Sequence, residues 1–144
     1  MTSDTHPLLR YGPAVVMMLL IPALSLLPAH FFKHVAEPLP PIPGIDKIIH
    51  SLMYAALTAA YLQVLTPDRR RNLLAVLRIV LLATLYGVSM EVCQKLFTTT
   101  RSMDPLDALA NAAGALTCAL LAYGWARCRS CALRPGPRGG AHVG

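Results

Sequence analysis

Charged residues are scarce in this chain of 144 residues, and their scarcity excludes most water-soluble folds. They make up 14% of the sequence, little more than half the usual share of a soluble domain, whereas hydrophobic residues make up 55%. A domain of this size cannot bury so much apolar surface in water, because small domains leave a large fraction of their surface exposed. The composition therefore predicts one integral membrane domain.

Aromatic residues are also few, at 6% of the chain, and they do not alternate with the basic residues. Proteins that bind single-stranded nucleic acid combine a basic groove with aromatic side chains on which bases stack. The net charge of +6 comes instead from residues that flank apolar segments, as the positive-inside rule describes. We therefore expect membrane lipids as partners and no nucleic acid.

Cysteine offers little chemistry in this sequence. Cys93 and Cys118 fall inside apolar segments, where a thiol acts as a small hydrophobic group. Cys128 and Cys131 form a single C-x-x-C pair, and His142 is the one other nearby ligand. Because a zinc site of this kind normally has a second ligand pair, we expect two reduced thiols and no cofactor.

Four apolar segments are long enough to cross a bilayer, whose hydrocarbon core takes about 20 helical residues. They extend over about Tyr11–Phe32, Ile45–Leu65, Leu73–Phe97 and Asp104–Trp125. Prolines in the connector Pro38–Pro43 forbid a helix there, and Thr98–Met103 is a short polar link. We expect an all-α bundle of four transmembrane helices over residues 1–126, followed by a basic, disordered tail over residues 127–144.

The distribution of arginine and lysine predicts the orientation. Nine arginines lie on the side of the two termini and of the turn Arg69–Arg71, and four basic residues lie on the other side: Lys33, Lys47, Lys95 and Arg101. Because basic residues accumulate in cytoplasmic loops, we expect both termini in the cytoplasm and the protein in the inner (plasma) membrane.

Polar residues lie at helical spacing in three of the four predicted spans. The second span carries Asp46, His50 and Tyr54, the third Gly87, Glu91 and Gln94, and the fourth Asp104, Asp107, Asn111 and Gly114. Spacings of three and four residues place each set on one helix face, within about 10–12 Å of the outer end of its span. We therefore expect the sets to converge, with Gly87 and Gly114 letting the third and fourth spans approach closely.

Ionisable groups at such depth cost about 2–3 kcal/mol each, so they face a partner or a wet cavity. Glu91 is too short to reach the head groups, and we expect it to pair with Arg101, Lys47 or His50, or to be neutral. Candidate catalytic residues, which would transfer protons, are His50, Glu91 and Asp107. Candidate ligand-binding residues are Asp46, Lys47, Tyr54, Gln94, Arg101, Asp104 and Asn111, of which the two basic ones suit an anionic head group.

The same residues allow other interpretations. A polar network can simply hold helices together. Ion conduction is less favoured, because the cytoplasmic halves of the spans offer only Arg78. The carboxylates and the histidine are ligand types for a hard or borderline metal ion, but no spacing among them is diagnostic, so we expect no metal.

Three motifs, taken in order, resemble the VanZ-like family of small membrane proteins. They read D-K-x-x-H-x-x-x-Y at 46–54, E-x-x-Q at 91–94 and R-x-x-D-x-x-D-x-x-x-N-x-x-G at 101–114, and the resemblance covers about residues 38–125. It implies a protein of the bacterial cell envelope; the family is named for a protein that confers resistance to the glycopeptide teicoplanin. On this basis we expect a polar site in the outer leaflet that binds or processes a lipid-linked or anionic envelope precursor. The alternative is a structural or assembly protein without enzymatic activity.

Overall fold

The structure is a computed structural model and describes residues 7–26, 43–98 and 104–132. All regular structure in these ranges is helical, so the expected all-α fold class is confirmed for them. The helices are α1 (Pro7–Ser25), α2 (Ile45–Val64), α3 (Pro67–Arg70), α4 (Leu73–Phe97) and α5 (Pro105–Ala132). Arg101 and most of the connector Pro38–Pro43 and the link Thr98–Met103 lie outside the described residues.

Local sequence signals account for the helix starts. Asn72 caps α4, since its side-chain oxygen accepts the backbone N–H of Ala75 at 3.3 Å. Asp104 caps α5 by accepting the backbone N–H of Leu106 at 2.9 Å, and proline follows it at the first helical position. Gly44 precedes α2 with a φ of 75°, a left-handed conformation that costs glycine little. The observed bounds of α2 and α4 agree with the predicted second and third spans.

The last helix is longer than expected. We ended the fourth span near Trp125, where the apolar run stops, but α5 continues to Ala132. Arginine and alanine are good helix formers, and the next residue that forbids a helix is Pro135. The prediction of disorder was therefore wrong for residues 127–132, while residues 133–144 lie outside the described residues.

Two helices in the described ranges are long and apolar enough to cross a membrane: Leu73–Phe97 and Pro105–Ser130. A third apolar segment, Leu9–Ser25, is shorter, and the predicted end of the first span at Phe32 lies outside the described residues. The helix α2 has charged and polar residues in its first turns and does not pass the same test. By length and composition, two of the four predicted spans are candidate membrane helices, and the four-span bundle stays a prediction.

The described helices bury several polar residues beside a small apolar core and leave many large apolar side chains exposed. Glu91 and Asn111 are each 1% exposed, whereas Leu121 is 71% and Leu82 56% exposed. In the two span-length segments only 17% and 22% of the residues of the most apolar stretch are buried in the isolated chain. An amphipathic helix of a soluble bundle has the opposite arrangement, with its apolar face toward the core. Such an apolar surface is unfavourable in water.

The helix α2 packs most extensively against α5, and also contacts α1 and α4. Gly114 of α5 makes this possible, because a Cβ atom there would clash with the backbone of Ser51. Gly87 of α4 lies against the Tyr54 ring and the Asn111 amide, which a Cβ would approach to 3.0 and 3.2 Å. We had expected these glycines to join the third and fourth spans; Gly114 instead joins the second and fourth.

Two arginines cover the carboxyl end of α2, at the opposite end of the helix from the polar residues. Arg10 donates from Nε and Nη2 to the carbonyl of Val64. Arg70 donates from Nε to the carbonyl of Leu65 at 3.2 Å and from Nη2 to that of Gln63 at 3.0 Å. These bonds satisfy carbonyls that the helix leaves without an internal donor.

Candidate functional site

Polar side chains from three helices meet at one end of the bundle. The start of α2 supplies His50, the last turns of α4 supply Glu91, and the first turn of α5 supplies Asp107. One nitrogen or oxygen atom from each of the three lies within 4.8 Å of the others. The expected convergence of these residues is therefore confirmed. Arg101, which we expected to join them, lies outside the described residues.

Glu91 forms the buried base of this group. Its Oε1 lies 3.9 Å from His50 Nδ1, which is an ion-pair distance but too long for a hydrogen bond. Its Oε2 is buried and has no hydrogen-bond partner among the described residues. A buried carboxylate oxygen requires a donor, a proton or a cation, because desolvation without one is costly.

His50 and Asn111 are joined by a hydrogen bond between their side chains at the base of the group. The distance from His50 Nδ1 to Asn111 Oδ1 is 3.2 Å. The other polar atom of Asn111, Nδ2, is buried without a partner among the described residues, and so is the hydroxyl of Tyr54. Both side chains lie against Gly87. The base of the site thus collects several polar atoms whose hydrogen-bonding capacity is unused.

A network of ion pairs covers the rim. Lys47 Nζ lies 3.0 Å from Asp46 Oδ2, 3.2 Å from Asp104 Oδ2 and 3.4 Å from Asp107 Oδ1. The lysine therefore connects α2 to α5. Since three carboxylates already surround its ammonium, the geometry does not support the anion-binding role that we predicted for Lys47.

Gln94 also has a structural partner. It is 3% exposed, and its Nε2 donates to the carbonyl of Ser25 at 3.1 Å. This bond joins α4 to α1. We predicted Gln94 as a ligand-binding residue, but its amide is committed to α1 in this structure.

The sequence reasoning missed Thr58. It lies one turn beyond Tyr54, at the i+4 position that continues the spacing of Asp46 and His50. It is fully buried, and its hydroxyl has no hydrogen-bond partner among the described residues. The same four-residue spacing was available in the sequence, so extending the polar face of α2 by one turn finds this residue.

No protein-family model, curated protein or solved structure matches the chain. The VanZ-like resemblance therefore rests on its three motifs. Each motif contributes to the cluster: 46–54 from α2, 91–94 from α4, and the described part of 101–114 from α5. Similarity to known proteins supplies neither a substrate nor a reaction.

Proposed function

We propose that this chain is a VanZ-like integral membrane protein of the bacterial cell envelope, which crosses the inner membrane four times with both termini in the cytoplasm. The two span-length helices and the exposed apolar surface support a lipid environment. The excess of arginine at the termini and at Arg69–Arg71 supports the orientation. In this orientation the polar cluster faces the outer leaflet.

We further propose that the cluster binds the head group of a lipid-linked or anionic envelope precursor. One observation carries this function: Glu91 is 1% exposed, yet its Oε2 has no hydrogen-bond partner among the described residues. Residues that only hold helices together have partners, as Gln94 and Lys47 do. Glu91 has His50 Nδ1 at 3.9 Å from Oε1, but the unpartnered Oε2 is better explained by a ligand or by proton transfer.

The depth of the three central residues suits binding from the end of the bundle. The side chains of His50 and Asp107 are 15% and 16% exposed, whereas Glu91 is buried behind them. A head group that enters at the rim would meet His50 and Asp107 first. The imidazole, oriented by Asn111, is suited to exchange a proton with such a group because its two ring nitrogens can act as donor and acceptor.

Charge-removing variants test the site against a purely structural role. Glu91→Gln keeps the size of the side chain and removes its charge, and Asp107→Asn does the same on α5. We expect both variants to insert, to unfold thermally in detergent close to the wild type, and to abolish the change in teicoplanin sensitivity that the wild type confers on cells. Gln94→Leu is the matched control, because its loss of activity should follow the loss of folded protein.

The structural alternative has its own support in the ion pairs of Lys47 and in the bond between Gln94 and Ser25. If the cluster only holds helices together, removing Glu91 or Asp107 should lower the thermal stability, and activity should fall only in proportion to the amount of folded protein. That result would contradict the proposed ligand site.

A further inference from the structure

The three central residues of the cluster have the donor set of a metal site. His50 offers an imidazole nitrogen, and Glu91 and Asp107 each offer a carboxylate oxygen, with one such atom from each within 4.8 Å of the others. Imidazole suits Zn²⁺, and carboxylates suit Mn²⁺ and other hard ions. One nitrogen with two oxygens therefore favours a borderline divalent ion and leaves coordination positions open for a ligand.

We propose that His50, Glu91 and Asp107 bind one divalent metal ion of the Zn²⁺ or Mn²⁺ type. The sequence alone led us to expect no metal, because no spacing among the candidate ligands is diagnostic. The inference deepens the proposed function and depends on it for the role of the ion. Bound there, the ion brings positive charge to an anionic head group, a role that Lys47 is too surrounded by carboxylates to fill.

The unpartnered oxygen of Glu91 is the independent observation that points to a ligand. The residue is 1% exposed, and Oε2 has no hydrogen-bond partner among the described residues. Carboxylate burial of this kind is normally compensated by a cation or by donors. The Lys47 ammonium does not compensate Oε2, since Nζ lies on Asp46, Asp104 and Asp107 instead. His50 Nδ1 lies 3.9 Å from the other carboxylate oxygen, Oε1.

The surroundings of His50 also suit a metal ligand. A histidine ligand usually has its second ring nitrogen held by an outer partner, which orients the ring. Here Asn111 Oδ1 lies 3.2 Å from His50 Nδ1 and so can orient the ring, and this same Nδ1 lies 3.9 Å from Glu91 Oε1. In a tetrahedral site with metal–ligand bonds of about 2.1 Å, the ligand atoms lie roughly 3.4 Å from one another. Side-chain rotations that move the ligand atoms by about 1 Å would therefore close the site around an ion.

Binding of Mn²⁺ alone tests the site, because Mn²⁺ avoids the thiol pair Cys128 and Cys131 that zinc prefers. The full chain is purified in detergent, stripped with EDTA and titrated with MnCl₂, with free Mn²⁺ followed by electron paramagnetic resonance. We expect one Mn²⁺ per chain. Glu91→Gln, His50→Gln and Asp107→Asn should each weaken binding by at least about 100-fold, and Asn111→Ala by about 10–100-fold, as for the loss of an outer partner.

Asp68→Asn is the matched control. It also removes one carboxylate, but Asp68 lies in α3, its side chain is 92% exposed, and it is outside the cluster. This variant should bind Mn²⁺ as the wild type does. Thermal denaturation of each metal-free variant shows whether it folds, and saturating Mn²⁺ should raise the unfolding temperature of the wild type and Asp68→Asn only. If one ligand variant fails to fold, the other two decide.

Equal Mn²⁺ binding by the wild type and by the folded ligand variants would overturn the metal site, and so would no binding at all. The proposed function is tested separately, with nanodiscs of phosphatidylcholine that contain phosphatidic acid. Binding of the anionic lipid that survives EDTA would leave the ligand site standing without a metal. Mn²⁺ binding at the three residues without any preference for the anionic lipid would support the metal site and contradict the proposed function.

Discussion

Replacing Gly114 with alanine tests whether the close contact between α2 and α5 holds the polar cluster together. An ideal Cβ at this position lies 2.7 Å from the carbonyl carbon of Ser51 and 2.8 Å from its Cα. The carbonyl oxygen of Ser51 is closer still. Carbon atoms in contact are about 3.5 Å apart, so the helices must separate by at least about 0.8 Å at this point. The obstacle is backbone, which cannot rotate aside as a side chain can.

This separation acts on the bonds that join α2 to α5. The distance from His50 Nδ1 to Asn111 Oδ1, now 3.2 Å, would lengthen to about 4.0 Å, outside the range of hydrogen bonds. Overpacking costs about 1–3 kcal/mol, and a lost hydrogen bond about 0.5–1.5 kcal/mol. We therefore expect Gly114→Ala to lower the free energy of unfolding by about 2–4 kcal/mol.

Gly124→Ala is the matched control on the same helix. A Cβ at Gly124 meets no atom within 4 Å, and alanine favours a helix over glycine by about 0.8–1 kcal/mol. This variant should be as stable as the wild type or more stable. Reversible unfolding in mixed micelles, followed by circular dichroism, measures both. Equal stability of the two variants would refute the close contact between Gly114 and Ser51.

Three further predictions concern the ion pairs, the link to α1 and the orientation. Lys47→Met should lower the thermal unfolding temperature by more than Asp46→Asn does, because Lys47 pairs with three carboxylates whereas Asp46 pairs only with Lys47 among the described residues. Thermal denaturation that ranks the two variants the other way contradicts the network. Gln94→Leu removes the buried bond to the Ser25 carbonyl and should cost about 1–3 kcal/mol in the same assay, so unchanged stability would place Gln94 elsewhere. A translocation reporter fused after Leu65 should report the cytoplasm. A signal from the outer face would contradict the proposed orientation and with it the assignment of the cluster to the outer leaflet.

Helix positions were predictable where apolar runs end at residues that stop or cap a helix. The polar turn from Thr66 to Asn72 separates α2 from α4, and Asp104 with Pro105 marks the start of α5. The end of α5 was missed because apolar character stops at Trp125 while helix propensity does not. Hydropathy predicts where a segment leaves the hydrocarbon core, but the helix can continue beyond that point.

The depth of the site was predictable, but its pairing was not. Helical spacing placed His50, Glu91 and Asp107 at one level, and they lie together in the structure. The spacing along each helix carries no information about which neighbour a long side chain chooses. Lys47 pairs with carboxylates, and Gln94 donates to the Ser25 carbonyl of α1, a helix that carries no part of the polar pattern.

The arginines at the carboxyl end of α2 satisfy two requirements at once. In the proposed orientation their charge helps to keep this end of the chain in the cytoplasm, and their several N–H groups donate to the carbonyls of Gln63, Val64 and Leu65. Lysine also carries the positive charge, but its compact ammonium lacks the planar guanidinium group, whose N–H donors can reach several carbonyls at once. Evolution should therefore exchange arginine for lysine freely at Arg69, which has no such bond among the described contacts, and rarely at Arg10 or Arg70.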